Sequence, residues 1–499
     1  MSKSKVIFSG VAWTVIQNVV SILYGIISVP FLINYFGKEE YGLIGLALSV
    51  NVYIQLLDMG MTNSNVRFFS EYIAKDEKGN VQKLFSLTHL FYTIIGLLNA
   101  AILLGLSFYV DVLFKVTTEQ AVILRNLLLI LALNATFSWI SVCFDQFLRA
   151  NELIDWIKRR LTILKVMQFV VLWMTILLNL TIEVYFFGYI FMATVILPLT
   201  IMKARSIMPD LKLNWRFDKV IFHNIFPYAF SIFSFSIFHY IAFNFRPLFL
   251  GNMSGTGSVA EFNVMNTVAM VVTVISGSFM QVLLPIVTKM TVKKEKESIQ
   301  RMMIVGTKYV TILLSTIIFI LIINVDEIFT LYVGEEYTSL STWMILWLLT
   351  LLLSHRNVMT SLVFTEKNIT SVAVMGAVAM CAALTCYLLF IPIYDVGGVV
   401  IGFTVHELIH TLFYYTYFIP YKFSVNTLSV FLRGVLPVWL ALGVTCYLVN
   451  RLFLKFDMVM IASVIVKSLV CGLIIIPLIW FVLLNASDRK LALSILKRK

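Results

Sequence analysis

The segment Leu56–Phe69, with the sequence LLDMGMTNSNVRFF, places an acid, Asp58, and a base, Arg67, in a mostly apolar region. Polar residues, among them Asn63, lie between the two charges. A charged side chain inside a membrane is costly and as a rule has a partner or a function. An arginine suits phosphate groups because its planar fork donates two parallel hydrogen bonds, whereas a buried carboxylate suits a cation or a proton. The segment therefore predicts anion binding, ion coupling or both.

Asp58 and Arg67 are nine residues apart, which puts them on opposite faces of an ideal helix, ~13 Å apart along its axis. They do not pair unless Gly60 and the polar residues after it break the helix. Arg67 has Glu71 four residues further on as a possible partner. Asp58 has no basic neighbour in the sequence. It therefore faces water, carries a proton or cation, or pairs with a base of another helix such as Arg356, which is the purely structural alternative.

Charged residues recur in other apolar blocks and favour a cationic cavity between helices. The predicted substrate-binding residues are Arg67, Asp58, Asn63, Arg246, Lys165, Arg356 and Lys308. The candidates for binding a coupling cation or proton are Asp58, Asp145, Glu261 and Glu407. We expect Arg356 near mid-membrane, Lys165 and Lys308 in the inner third, and Arg246 near an outer end. A base near a helix end could instead extend its side chain to the membrane interface without binding substrate. Each acid could instead make a polar packing contact between helices.

The stretch from His406 to His410, HELIH, matches the H-E-x-x-H pattern of zinc proteases. In those enzymes two histidines on one helical face bind zinc and the glutamate activates water. Catalytic zinc needs a third protein ligand. The late blocks offer none, because Asp395 precedes the motif and lies near the outer end. We therefore expect polar helix contacts or cavity residues here, and no metal or cofactor.

The elements that must position these residues are membrane-spanning helices. Of the 499 residues, 60% are hydrophobic and 13% are charged, against about 25% charged in a soluble domain. The apolar residues form blocks of about 20 to 28, long enough to cross a ~30 Å hydrocarbon core. The sequence thus predicts an all-α polytopic membrane protein with about 14 transmembrane helices. They are predicted at 7–34, 41–70, 84–109, 120–148, 156–180, 183–203, 220–249, 258–289, 302–325, 339–364, 370–393, 398–419, 426–450 and 458–485.

The distribution of Lys and Arg between these helices predicts the orientation of the chain. With the N-terminus inside, the inner segments hold 26 of them, whereas the outer segments hold four, Lys38, Lys115, Arg451 and Lys455. Both termini are therefore predicted to be cytoplasmic, and the net charge of +12 reflects topology. A nucleic-acid partner is not expected, because the chain has no basic soluble module. There is also no phosphate-binding loop of an ATP-driven pump.

A weak internal repeat appears at an offset of 217 residues. PFLINYFGKEEYG, from Pro30, then falls on PLFLGNMSGTGSV, from Pro247. This predicts two pseudo-symmetric six-helix lobes, 1–206 and 207–422, followed by two additional helices and a basic cytoplasmic tail, 423–499. The alternative is a generic helix-loop-helix likeness. The offset places Asp58 and Arg67 on apolar residues, so the charged pair is predicted to be specific to the first lobe.

The segment 34–77, NYFGKEEYGLIGLALSVNVYIQLLDMGMTNSNVRFFSEYIAKDE, resembles the first hairpin of the polysaccharide transporter family, of the O-antigen flippase type. That family belongs to the multidrug/oligosaccharidyl-lipid/polysaccharide exporter superfamily. The likeness lies in a Gly-x-x-x-Tyr-Gly turn, from Gly37 to Gly42, then Leu-Asp-x-Gly and an Arg-Phe ending. YDVGGVVIGFTVHELI, from Tyr394, resembles the Gly-rich twelfth helix of the family.

The resemblance implies a flippase in the bacterial cytoplasmic (inner) membrane. The implied substrate is an undecaprenyl-diphosphate-linked oligosaccharide, an O-antigen or capsule repeat unit, moved from the inner to the outer leaflet. Alternating access of the two lobes, coupled to an ion gradient, is the implied mechanism. The implied partners are membrane lipids, a polysaccharide polymerase and a chain-length regulator. Asp58 and Arg67 lie within the matching motif itself.

Other functions remain open from the sequence. A multidrug cation antiporter of the same superfamily would need an acidic cavity, whereas these helices hold more bases than acids. An enzyme is the second alternative, either a polysaccharide polymerase or ligase, or an HExxH intramembrane protease. Polymerases and ligases usually carry a large outer loop, which this chain lacks, and we therefore expect a transporter and not an enzyme.

Overall fold

A computed structural model describes residues 3–212, 215–293, 295–366, 370–453, 459–484 and 489. Within these ranges the chain is helical and contains no strand. Thirteen of the described segments are long and apolar enough to cross a membrane. A further helix of 26 residues, Lys219–Asn244, corresponds to the predicted seventh span. The predicted all-α membrane fold is confirmed. The bases Lys294, Lys367 and Lys455 and the tail 490–499 lie outside the described residues.

The helices are numbered in chain order. The first eleven are α1 Lys3–Phe36, α2 Lys38–Ile54, α3 Met61–Ala74, α4 Lys78–Ser107, α5 Val110–Leu113, α6 Thr118–Ala150, α7 Ile154–Leu177, α8 Ile182–Ile207, α9 Lys219–Asn244, α10 Arg246–Met253 and α11 Thr256–Val292. The others are α12 Lys296–Ile323, α13 Val325–Tyr332, α14 Ser341–Leu351, α15 Asn357–Val363, α16 Thr370–Tyr394, α17 Val396–Phe413, α18 Ile419–Phe423, α19 Thr427–Val430, α20 Leu436–Phe453 and α21 Met460–Leu478. Short 3₁₀ segments are Gln55–Asp58, Glu335–Leu340 and Leu352–Arg356, and π-helical segments are Tyr414–Phe418, Phe431–Val435 and Ile479–Leu483.

The chain divides into two compact units. The first comprises Met1–Val264 with Ile391–Val396, and the second comprises Met265–Phe390 with Gly397–Lys499. In the first unit, aromatic rings hold α3, α4 and α6 together. Phe85 packs edge-on against Phe144 and Phe147 at centroid distances of 5.3 and 5.9 Å, and Phe69 packs against Phe147 at 5.8 Å. These fully buried edge-to-face contacts give the three helices a rigid common core.

The predicted second helix, 41–70, is wrong as one continuous helix. It ends in the 3₁₀ turn Gln55–Asp58, and α3 begins only at Met61. Met59 and Gly60 between them have φ values of 47° and 75°, in the left-handed region that favours glycine. A Cβ at Gly60 would also lie 2.3 Å from the Ala229 oxygen of α9. The break therefore depends on Gly60, for conformation and for close packing.

On the predicted outer side, α2 packs closely against the start of α11. A Cβ at Gly42 would lie 2.0 Å from the Thr256 oxygen, and one at Gly45 would lie 1.9 Å from the Asn263 amide nitrogen. The Thr256 hydroxyl donates a hydrogen bond to Glu39. Glu39 and Thr256 are 217 residues apart, the offset of the weak sequence repeat. The two turns that the repeat pairs therefore contact each other in the fold.

The second unit contains two ion pairs within its predicted membrane-spanning part. Arg356 and Glu407 form an ion pair at 3.0 Å, with side chains 11% and 7% exposed. The Lys467 ammonium donates to the Glu327 carboxylate and so links α21 to α13. Because breaking a buried ion pair leaves an uncompensated charge in a low-dielectric interior, both pairs constrain how these helices pack.

Candidate substrate cavity of the first unit

A cavity of about 530 Å³ lies within the first unit, among α2, α3, α4, α6, α7, α8 and α9. Five amide side chains line it, Asn51, Asn63, Asn99, Asn134 and Gln168. Aromatic side chains line it as well, including those of Trp139, Tyr189 and Tyr240. Asp58 is the one acid, and no lysine or arginine of the described residues contributes to the wall. The wall is therefore rich in groups that both donate and accept hydrogen bonds.

Asp58 is held by hydrogen bonds from two neighbouring side chains. Its Oδ1 accepts from the Tyr92 hydroxyl at 2.6 Å and from the Thr62 hydroxyl at 2.8 Å. Its Oδ2 accepts from the Thr62 backbone N–H at 3.2 Å. The last contact caps the start of α3, because an acid can satisfy a backbone N–H that has no partner within the helix.

Two buried amides continue this network and give it a direction. The Gln146 Nε2 donates to the Tyr92 hydroxyl at 2.6 Å and to the Thr62 hydroxyl at 3.1 Å, and the Gln146 Oε1 accepts from the Asn65 Nδ2 at 3.0 Å. Tyr92, Gln146 and Asn65 are at most 1% exposed. Each hydroxyl accepts from Gln146 and gives its own proton to Asp58. The carboxylate is thus the final acceptor of a chain that starts at Asn65.

Four of the five amides of the wall take part in hydrogen bonds, and one of their acceptor atoms is open. The Asn99 Nδ2 donates to the Asn51 Oδ1 at 3.3 Å, and the Gln168 Nε2 donates to the Tyr189 backbone oxygen at 3.1 Å. Thr194 donates to the Asn134 Oδ1. The Asn99 Oδ1 has no hydrogen-bond partner among the described residues, and Asn99 is 3% exposed. A buried acceptor without a partner can be satisfied by a donor group of a ligand.

Arg67 lies one helical turn beyond Asn63 on α3 and is exposed. Its guanidinium lies over the ring of Tyr228, 4.3 Å from the centroid, and near that of Phe68 at 5.6 Å. Glu71, the partner that the sequence allowed, bonds Lys75 at 2.7 Å instead. That hydrogen bond lowers the pKa of the Glu71 carboxyl. Arg67 and Asp58 form no ion pair in the described structure, although the helix breaks between them.

The remaining predicted bases have varied surroundings. The Lys165 Nζ donates to the Gln168 Oε1 at 3.0 Å, and Lys165 lies on α7. Arg246 is 7% exposed and lies between the rings of Phe243 and Phe262, 5.2 and 5.1 Å from their centroids. Lys308, on α12 in the second unit, is 8% exposed. In that unit Arg356 pairs with Glu407, so the structural alternative of an Asp58–Arg356 pair is not formed.

Three of the four acids predicted for ion coupling have basic partners. Asp145 accepts from Arg160 at 2.6 Å, Glu261 from Lys38 at 2.8 Å, and Glu407 from Arg356. Asp58 differs from them, because the donors that hold it are hydroxyls and a backbone N–H. It is the acid of the set whose carboxylate lines the cavity and is held there by neutral donors.

The HELIH segment lies on α17 and is not arranged as a zinc site. The rings of His406 and His410 are 4.7 Å apart. Glu407, which would activate water in a protease, is held by Arg356, whose Nη1 also donates to the Glu407 backbone oxygen at 3.2 Å. No group of three or more metal-ligating side chains occurs among the residues that the structure describes. The five cysteines are all free.

Sequence reasoning missed the neutral part of the site. Tyr92, Gln146, Asn99, Asn134 and Gln168 carry no charge, whereas the sequence-based prediction rests on charged residues and Asn63. The available signal was the presence of asparagine and glutamine inside apolar blocks, where an amide needs hydrogen-bond partners as a charge does.

The model of the polysaccharide biosynthesis protein family matches residues 7–291. Among solved structures, the chain is similar to "Lipid II flippase MurJ, inward closed conformation", with a TM-score of 0.69, 14% identity, and coverage of 94% of this chain and 99% of that one. It is also similar to an inward-facing multidrug resistance MATE family transporter of the MOP superfamily. That match has a TM-score of 0.63 and 14% identity, and it covers 79% of this chain and 92% of that one. A third similar structure is a ligand complex of the MATE multidrug transporter DinF-BH. Its TM-score is 0.60, its sequence identity is 14%, and the match covers 83% of this chain and 94% of that one. No curated protein matches the sequence.

Proposed function

The chain belongs to the polysaccharide biosynthesis protein family, and from this premise we propose that it is a flippase for an undecaprenyl-diphosphate-linked oligosaccharide. The substrate is an O-antigen or capsule repeat unit, which moves from the inner to the outer leaflet of the bacterial cytoplasmic membrane. The fold of the MOP-superfamily transporters supports a transporter. In this proposal both termini are cytoplasmic, and the lobes 1–206 and 207–422 alternate in exposing the cavity, with 423–499 as an addition.

The observation that carries the proposal is the chemistry of the first-unit cavity. A sugar hydroxyl donates and accepts at once, and the amides of Asn51, Asn99, Asn134 and Gln168 offer both functions. Aromatic side chains such as Trp139 offer apolar faces to sugar C–H groups. The volume of about 530 Å³ falls within the ~300–1,000 Å³ of ligand pockets. These features of the wall support a saccharide as the substrate.

The same wall argues against an organic cation as the substrate. A cation site needs unsatisfied negative charge, and Asp58 is the only acid among the described residues of the lining. Its Oδ1 already accepts from two hydroxyls. We assign Asp58 to ion coupling, since one oxygen, Oδ2, has only the Thr62 N–H as a donor. No feature of the fold or the cavity favours an enzymatic function over transport. We therefore propose no catalytic residue, metal or cofactor.

Arg67 is proposed to capture the diphosphate near the cytoplasmic end of α3. Its guanidinium is exposed, rests on two aromatic rings, and has no carboxylate within 4 Å among the described residues. The planar guanidinium of Arg67 can therefore donate hydrogen bonds to phosphate oxygens. Asn63, one turn away on α3, lies in the cavity wall, so a captured headgroup adjoins the saccharide site.

Complementation tests the proposal. The chain is expressed in bacteria that lack their own O-antigen or capsule flippase, with several repeat-unit types represented, and surface polymer and accumulated lipid-linked intermediate are measured. We expect surface polymer to return and the intermediate to fall with at least one repeat unit. Polymerase and chain-length regulator are supplied by the host, as proposed partners. Efflux of a cationic rhodamine dye without any rescue of polymer would instead support the drug antiporter.

A further inference from the structure

We propose that a row of phenylalanine rings along α9 binds the polyprenyl chain of the lipid-linked substrate. This inference rests on the proposed function and deepens it, because it names the part of the first unit that holds the lipid while the saccharide occupies the cavity. The observation behind it is a set of consecutive ring contacts that begins just before α9, at its predicted cytoplasmic end, and reaches the cavity wall.

Five rings form this α9 aromatic row, namely Phe217, Phe222, Phe226, Phe230 and Phe233. The centroids of consecutive rings are 5.4, 5.0, 6.1 and 6.1 Å apart. The four members on α9 follow one another at spacings of four, four and three residues, which places them on one face of the helix. At 1.5 Å per residue the row extends roughly 16 Å along α9 from Phe222 to Phe233.

The α9 aromatic row leads into the cavity. Phe233, its last ring, is part of the cavity wall. Ile237 and Tyr240 follow on the same face of α9, one and two turns further along, and line the wall as well. The row therefore forms a continuous apolar path between the cavity and the predicted cytoplasmic end of α9. A lipid chain attached to a saccharide in the cavity can follow this path without leaving apolar surroundings.

The rings of the row are accessible and ordered. Phe217 and Phe230 are more than half exposed, and the other three rings are partly exposed. The Phe222–Phe226 and Phe226–Phe230 pairs are stacked, with interplanar angles of 25° and 26°. Stacked neighbours restrict one another, so little side-chain freedom remains to be lost when a ligand binds. The row is thus a preformed apolar surface.

The composition of the row favours a polyprenyl chain over the acyl chains of bulk lipid. An exposed face elsewhere in the protein is aliphatic, since α21 presents Ile461, Ile465, Leu469 and Leu473 at spacings of four. The aromatic belts at membrane interfaces consist mainly of tryptophan and tyrosine, whereas this row is phenylalanine and continues inward to the cavity. Every isoprene unit carries a planar double bond and a methyl branch, and both pack well on the flat face of a ring.

Binding to the purified full-length chain in nanodiscs tests this inference. The probes are a disaccharide diphosphate on a short polyprenyl chain, the same headgroup on a saturated straight chain of equal carbon number, and the headgroup without lipid. The variants are Phe230→Leu and the double variant Phe226→Leu with Phe230→Leu, in which the side chains stay apolar but lose their rings. All proteins are compared in the same lipid, so partition of a probe into the bilayer cancels.

The matched control is Phe187→Leu on α8. The Phe187 ring is 45% exposed and stacks on Phe191 at 4.2 Å, but it does not line the cavity. Thermal unfolding confirms that each variant is folded. In a second measurement on the wild type, a diazirine on the polyprenyl chain is photolysed, and mass spectrometry locates the adducts.

We expect the double variant to bind the polyprenyl probe roughly tenfold more weakly than wild type, and Phe230→Leu to show a smaller loss. Binding of the saturated and lipid-free probes should be unchanged, Phe187→Leu should match wild type, and the adducts should lie within residues 217–233.

Two results would overturn the inference and leave the flippase proposal standing. One is wild-type affinity of the folded double variant for the polyprenyl probe, or adducts confined to other helices. The other is an equal loss for the saturated probe, which would mean that the row binds any lipid chain. Failure of the wild type to bind any of the probes would contradict both proposals.

Discussion

The Tyr92 hydroxyl donates a 2.6 Å hydrogen bond to Asp58 and accepts one of 2.6 Å from Gln146. Tyr92 lies on α4 and is fully buried, whereas Asp58 lies at the break before α3 and lines the cavity. The two residues therefore connect the packed interior of the first unit to the one carboxylate of its described cavity wall. Because Tyr92 can give only one proton, its donation to Asp58 requires that Gln146 be the donor on its other side.

Removing the Tyr92 hydroxyl tests whether this chain supports function. In Tyr92→Phe, Asp58 loses one donor and Gln146 loses one acceptor, so we expect a loss of about 1–3 kcal/mol in the free energy of unfolding and a lower transport rate. Tyr447→Phe is the control, because that tyrosine is exposed and its hydroxyl accepts a hydrogen bond from Arg451 at the surface. Thermal unfolding and complementation are measured together. Full transport activity of a normally folded Tyr92→Phe protein would contradict a role of the Tyr92 hydroxyl in transport.

Gly60 is predicted to tolerate no side chain. Gly60→Ala combines a φ of 75° with a Cβ 2.3 Å from the Ala229 oxygen, and we expect destabilisation of about 1–3 kcal/mol from strain and displaced packing. The control, Gly79→Ala at the start of α4, has no atom within 4 Å of the new Cβ. It should be neutral or slightly stabilising. Equal melting temperatures for the two variants would contradict the helix break at Gly60.

The Arg356–Glu407 pair predicts a non-additive double mutant. Glu407→Leu or Arg356→Met alone leaves a buried charge without its partner, which costs about 3–5 kcal/mol. In the double variant Arg356→Met with Glu407→Leu both charges are absent, so stability should largely return. The melting temperatures of the two single variants and the double variant form the cycle. Additive losses would mean that the two side chains are not coupled.

The α2–α11 contact is predicted to part during transport, if the proposed alternating access is correct. Glu39→Cys and Thr256→Cys, introduced into a chain whose five cysteines are replaced, lie where the Glu39 and Thr256 side chains now form a hydrogen bond. Oxidative cross-linking should stop substrate translocation, and reduction should restore it. Cross-linked protein that transports at the wild-type rate would show that this contact stays closed throughout the cycle.

The sequence was sufficient for the membrane fold because long apolar blocks leave the chain few alternatives to spanning helices. The sequence did not reveal the helix break from Asp58 to Gly60, because the apolar stretch continues across it. The break depends on left-handed backbone and on a close contact with Ala229. The sequence also gave Asp145 and Glu407 as candidates for ion coupling and did not reveal their partners, Arg160 and Arg356, because tertiary packing brings these bases to them. The neutral partners of Asp58 lie on α4 and α6, and no local pattern relates them to it.

Translocation in proteoliposomes shows whether the protein moves a diphosphate-linked saccharide across the membrane. A fluorescent undecaprenyl-diphosphate oligosaccharide is placed in both leaflets, and a membrane-impermeant reagent reports how fast the inner pool reaches the outside. We predict rapid exchange with wild-type protein, at least tenfold slower exchange with Arg67→Ala and Asp58→Asn, and wild-type exchange with Lys158→Gln. Exchange no faster than in empty liposomes, with folded protein and cognate sugars, would mean that the protein is not a flippase for this class of substrate.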